Sequence, residues 1–129
     1  MPYRLFFPTR NNYVRGQIVR LEIGNTEVAA KLIKELTGAV LYRIEAVNAY
    51  PRDYTEATEV ARSELQASAR PPLTGRVDAM GTFDVVFLGY PIWWGTMPMP
   101  VFTFLAPGGC SSRPRHSWWR RNKCAKSHQ

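Results

Sequence analysis

FDVVFLGYPIWWGTMPMP, residues 83–100, decides the fold. Val85-Val86-Phe87-Leu88 is a near-continuous apolar run, the pattern of a strand whose sheet is covered by helices on both faces. Two adjacent tryptophans, Trp93 and Trp94, then follow in a frame of Gly89, Pro91, Gly95, Pro98 and Pro100. So many breakers exclude plain core and predict a loop at the carboxyl end of the strand. Pro98 and Pro100 can open a helix whose first turns hold Val101, Phe102, Phe104 and Leu105.

Working back from that strand, the same alternation recurs. Gln17 to Ile23 reads as a first strand, and Gly24-Asn25-Thr26 as the turn that ends it. Asn or Thr can cap a helix, and Glu27 suits the positive end of its dipole. Val28, Leu32, Ile33 and Leu36 follow at helical spacing, with Ala29 and Ala30 between them, and Gly38 stops the helix. Residues 39–45 read as a second strand. Asp53 or Thr55 can cap a helix that runs to about Ala69, where Arg70-Pro71-Pro72 ends it. Strand, helix, strand, helix, strand, helix predicts an α/β chain with an open parallel sheet. Ligands bind such sheets at the carboxyl ends of the strands, where both Gly24-Asn25-Thr26 and the tryptophan loop fall.

The chain has 129 residues and a net charge of +7. That charge sits at the ends: residues 1–16 carry +3, residues 106–129 carry +6, and residues 17–105 carry −2. We therefore expect a basic, irregular N-terminal segment over 1–16, a mildly acidic domain over 17–105 and a basic, disordered tail over 106–129. This distribution argues against nucleic acid as the main partner, although a basic chain invites that alternative. No secretory signal is legible and no apolar run approaches the roughly 20 residues of a membrane span. A cytoplasmic, membrane-free setting is the expectation. Both cysteines, Cys110 and Cys124, lie in the tail and make no disulfide framework. With His116 and His128 they match no structural zinc spacing, so no metal is expected. Trp118-Trp119-Arg120-Arg121 combines stacking surface with charge, as single-strand binders do, but has no supporting fold.

Two features point to a ligand. The unpaired N–H groups at the start of the first helix, with its dipole, can hold an anion at Gly24-Asn25-Thr26, although such a turn is common before helices. Trp93 and Trp94 offer faces on which a planar ring can stack; the plainer alternative is one tryptophan anchored in the core and one on the surface. Together they suggest a phosphorylated ligand with a planar ring. No catalytic triad, paired acid and base or phosphate-binding P-loop is present, so redox chemistry would come from a cofactor.

Gly24-Asn25-Thr26-Glu27-Val28-Ala29, followed by Phe83 to Gly95, resembles the bacterial flavodoxins and flavodoxin-like proteins. Tyr50-Pro51-Arg52-Asp53-Tyr54, Arg70-Pro71-Pro72-Leu73 and Val77-Asp78 fit the same group, and the likeness covers residues 24–105. It implies a doubly wound sheet of five parallel strands ordered 2-1-3-4-5, with FMN at the switch point. It implies that Gly24, Asn25 and Thr26 hold the FMN phosphate, and that Pro91, Ile92, Trp93, Trp94 and Gly95 line the isoalloxazine. The implied activity is one- or two-electron transfer through FMN to a redox partner protein, in an electron carrier or FMN-dependent oxidoreductase, with no catalytic side chain.

The chain departs from that family in two places. Leu21 and Ile23 stand where the family places hydroxyl residues, removing two phosphate hydrogen bonds, and Arg20 and Glu22 do not suit a strand buried on both faces. After the helix at 100 only 24 residues remain, too few for two further βα units. The expectation is an incomplete flavodoxin-like sheet of about three strands, the last two missing, with an exposed third strand and impaired flavin binding. The acid-free ends suggest a different reading frame or a truncated gene. The alternatives are a basic protein that binds anions or nucleic acid, and a fragment with no function of its own.

Overall fold

The computed structural model of the chain describes residues 3–6, 11–78 and 80–106. Three parallel strands form its sheet: β1 (Tyr3–Phe6), β4 (Val40–Arg43) and β5 (Val86–Gly89), in the order β4-β1-β5. Tyr3 stands beside Val40 on one side and Val86 on the other, and Phe6 beside Arg43 and Gly89. Helices α1 (Asn25–Thr37), α2 (Tyr54–Gln66) and α3 (Met99–Leu105) alternate with these strands. The fold is α/β with three parallel strands among the described residues, and β5 pairs only with β1 among them.

The N-terminal expectation is corrected. Residues 1–16 were expected to be irregular and residues 17–23 to form the first sheet strand. Instead Tyr3–Phe6 takes the central position, and β3 (Gln17–Arg20) turns back on β2 (Asn11–Val14) in a separate antiparallel hairpin. The cause is chemical. Every residue of β3 is exposed, Arg20 included. A central strand would have to bury Gln17 and Arg20, at a cost no partner offsets. The turn Arg15-Gly16, with φ of 49° and 81°, is the two-residue left-handed turn that joins tightly paired strands.

Helix α1 spans the residues its periodicity predicts. Gly38 closes it at φ 65°, a left-handed conformation that costs glycine little, and its N–H donates to the Lys34 carbonyl at 2.8 Å. The helix packs against all three strands, and Ala30 is its buried residue. Of the apolar residues at helical spacing, Val28, Leu32 and Leu36 are 43%, 54% and 84% exposed, and Ile33 is half-buried. The small Ala30 is the residue that α1 buries, while Val28, Leu32 and Leu36 face outward. Asp53 caps α2 by accepting from the Glu56 N–H at 3.0 Å.

The main core lies between the sheet and α3. Ile44, Val77, Met80, Val101 and Phe104 are buried together, with Tyr42, Val86, Leu88 and Trp93 among the residues packed on them. Val86 and Leu88 face this core, as the two-residue period of a strand requires. Phe87, between them, is 37% exposed. The residues expected as the tail, from 107 on, lie outside the described residues, as do the Cys, His and Trp-Arg groups in them.

Candidate functional site

The loop after β5 is shaped by one tight turn. Trp93 and Thr96 exchange both backbone hydrogen bonds, Trp93 N–H to Thr96 carbonyl at 2.8 Å and the reverse at 3.0 Å. Trp94 and Gly95 between them have φ of 50° and 79°. Glycine accepts that conformation without penalty, whereas a bulky indole does so only under constraint. The turn sends the two indoles to different surroundings. Trp93 is half-buried and packs on the core cluster, while Trp94 is 53% exposed. One anchored and one surface tryptophan thus describes their burial.

Both indoles are held by contacts that lead to α2. The Trp94 Nε1–H donates to the Thr58 carbonyl at 2.9 Å, and the Arg62 guanidinium lies 5.4 Å from the centre of the same ring. Trp93 meets the Tyr50 ring edge-on, 5.0 Å between centroids and 82° between planes. Tyr50 in turn donates its phenol proton to the Glu64 carboxylate at 2.6 Å. Burial first, and then that carboxylate, push the Tyr50 phenol well above the usual tyrosine range. It therefore stays a donor at physiological pH.

Opposite the loop, Gly24 is buried and caps α1 without a side-chain bond. Asn25 and Thr26 open the first turn, where N–H groups have no intrahelical acceptor. Glu27 would oppose an anion there, but it is already paired: Lys31 lies 3.1 Å and Arg43 2.8 Å from its carboxylate oxygens. Partial burial works to raise its pKa, and hydrogen bonds from Lys31 and Arg43 outweigh that and lower it. The charge at the head of the helix is thereby compensated.

These two elements open on one cavity of about 680 Å³, within the roughly 300–1,000 Å³ of small-molecule sites. Of the eight residues expected to form a site, six line it: Asn25, Thr26, Pro91, Ile92, Trp93 and Trp94. Gly24 and Gly95 do not; they shape the backbone on either side. Leu21, singled out as a departure beside the phosphate turn, also lines the cavity, and sequence reasoning missed the rest of the wall, which is Asn12 from the hairpin and Tyr54, Ala57, Thr58 and Ala61 from α2. Ala57 and Ala61 stand one turn apart on one helix face, the available signal for a helix bordering a cavity. Leu21 brings an apolar side chain where a hydroxyl was expected, and Ile23 is 44% exposed, outside the lining.

Among the described residues no three of His, Cys, Asp and Glu gather in a way that could hold a metal ion. No helix among them is long and apolar enough to cross a membrane.

A family model described as flavodoxin matches residues 21–112. Among solved structures, the chain is similar to a candidate flavoprotein from Bacteroides uniformis ATCC 8492 at 24% identity and a TM-score of 0.58. The match covers 81% of this chain and 61% of that one, so the chain spans less than two thirds of the length of that protein. At this identity the likeness speaks for the fold. No match exists among curated proteins.

Proposed function

The chain belongs to the flavodoxin family, and on that premise we propose that its cavity binds FMN and that the protein serves electron transfer. One observation carries the reading: the head of α1 and the Trp93-Trp94 loop open on the same cavity. An anion-holding helix end and an aromatic wall suit the two ends of a phosphorylated ring system. The chemistry of the donor set fits the group. Thr26 and Asn25 offer polar side chains beside unpaired N–H groups, while Ile92 and the two indoles supply an apolar wall.

Bound FMN would supply the one- or two-electron chemistry. The residues of this chain bind and orient it. Asn25 and Thr26 receive the phosphate, with Glu27 kept neutralised by Lys31 and Arg43. Trp93 and Trp94 cover the ring, and Pro91 and Ile92 limit water at its edge. No side chain is assigned a proton transfer. A redox partner protein and a cytoplasmic setting complete the proposal.

The phosphate end is weaker than a hydroxyl-rich one. Two hydrogen bonds to a charged acceptor, at roughly 1.5–3 kcal/mol each, correspond to about two to four orders of magnitude in affinity. We expect half-saturation at about micromolar FMN or above, read by quenching of flavin fluorescence in a titration of the full chain. Absence of quenching up to about millimolar FMN would refute the flavin reading. Tight binding at about nanomolar would refute the weakened phosphate end.

A further inference from the structure

Trp94 is held in an unfavourable backbone conformation, φ 50°, on a turn whose tip is more than half exposed. A left-handed non-glycine residue persists when its surroundings over-determine it. The surroundings here are two groups on one face of α2. The Thr58 carbonyl accepts the indole N–H, and one turn later the Arg62 guanidinium lies over the ring. Among the described residues Arg62 forms no ion pair with a carboxylate, so its close partner is the indole. Trp94 also lines the cavity, whereas Arg62 does not.

We propose that Arg62 is a positioning residue: its guanidinium, stacked over Trp94, holds the indole as the outer wall of the cavity. Thr58 fixes the edge of the indole and Arg62 its plane, so α2 sets the orientation of a ring that its own backbone would not hold. The two indoles are seated independently, because Trp93 is held through Tyr50 and Glu64. The consequence for ligand affinity rests on the FMN reading above; the seating of Trp94 does not.

The test separates the two. The full chain is labelled with 5-fluorotryptophan, and the Trp93 and Trp94 resonances are assigned from Trp93→Phe and Trp94→Phe. Arg62→Gln, which keeps a planar polar group and removes the charge, should shift and broaden the Trp94 resonance and leave Trp93 in place. Arg62→Lys keeps the cation and should recover part of the original position; the recovery is partial because lysine lacks the planar fork. Glu64→Gln should do the reverse, moving Trp93 and sparing Trp94. An unmoved Trp94 resonance in Arg62→Gln overturns the proposal, as does an equal shift of both indoles in both Arg62 variants. FMN titrated into Arg62→Gln should show a two- to fivefold weaker Kd, the range of an exposed cation–π contact. If FMN fails to bind the unmodified chain, the functional reading falls, while the fluorine spectra still decide the role of Arg62.

Discussion

Replacing Trp94 by asparagine sets two effects against each other. Asparagine tolerates the left-handed conformation that Trp94 adopts at φ 50°, and an Asn-Gly pair is the favoured sequence for such a turn. Relief of the backbone should stabilise the variant by roughly 1–2 kcal/mol. The losses are larger. Trp94 is 53% exposed, so about half of the indole is covered, on the order of 100 Å² or about 2.5 kcal/mol. The bond to the Thr58 carbonyl adds about 1 kcal/mol, and the Arg62 contact about 0.5–1 kcal/mol. The anchors win, and Trp94→Asn should be destabilised by about 2–3 kcal/mol. Urea unfolding followed by far-ultraviolet circular dichroism measures this without relying on tryptophan emission. The midpoint should fall by roughly 1–2 M at an unchanged slope. Trp94→Phe, which keeps an aromatic ring and the strained backbone but loses the N–H and part of the covered surface, should cost about 1–2 kcal/mol. A Trp94→Asn midpoint equal to or above that of the unmodified chain would show that strain outweighs anchoring, and would refute the account of α2 as the support of the loop.

Two further predictions concern ionisation. Because the Tyr50 phenol is raised above its usual value of about 10, its contribution to stability is full below that pH and is lost as pH climbs beyond it. Tyr50→Phe should cost about 1–2 kcal/mol at neutral pH and flatten the alkaline limb, as measured by urea midpoints between about pH 8 and 11. The Glu27 carboxyl is lowered, so its contribution is present above about pH 4.5 and is lost as pH falls through the lower folded-state value. Glu27→Gln should remove that part of the acid limb, and thermal unfolding between about pH 3 and 6 will show whether the slope changes.

The elements legible in the sequence are those with enough residues to repeat a pattern. Helix α1 carries 13 residues and a left-handed glycine stop, and β5 takes three of its four residues from the apolar run Val85 to Leu88. Strand β1 has four residues, too few to show an alternation, and Gln17 to Ile23 outcompeted it as the more strand-like segment. Propensity was not at fault, because Gln17–Arg20 is a strand. A strand that precedes a helix need not belong to the main sheet, and this one pairs with β2 instead. Arg15-Gly16 between two β-prone pairs was the signal for a hairpin, and Arg20 was the objection to burial.

The site divides along the same line. Contiguous residues, Asn25-Thr26 and Pro91-Ile92-Trp93-Trp94, were legible because short motifs carry their own chemistry. The supports were not, because Tyr50, Thr58, Arg62 and Glu64 acquire their roles only when α2 is placed beside the loop. Thr58 contributes a carbonyl, which no side-chain pattern reveals. By residue type alone, nothing sets Arg62 and Glu64 apart from other charges on an amphipathic helix. Yet the indoles are the part of the cavity most dependent on such support, since their turn holds a bulky residue where asparagine or glycine would rest more easily. A sequence motif can therefore name the wall of this cavity without naming what keeps the wall upright. That difference is why the decisive substitutions lie in α2 and not in the loop alone.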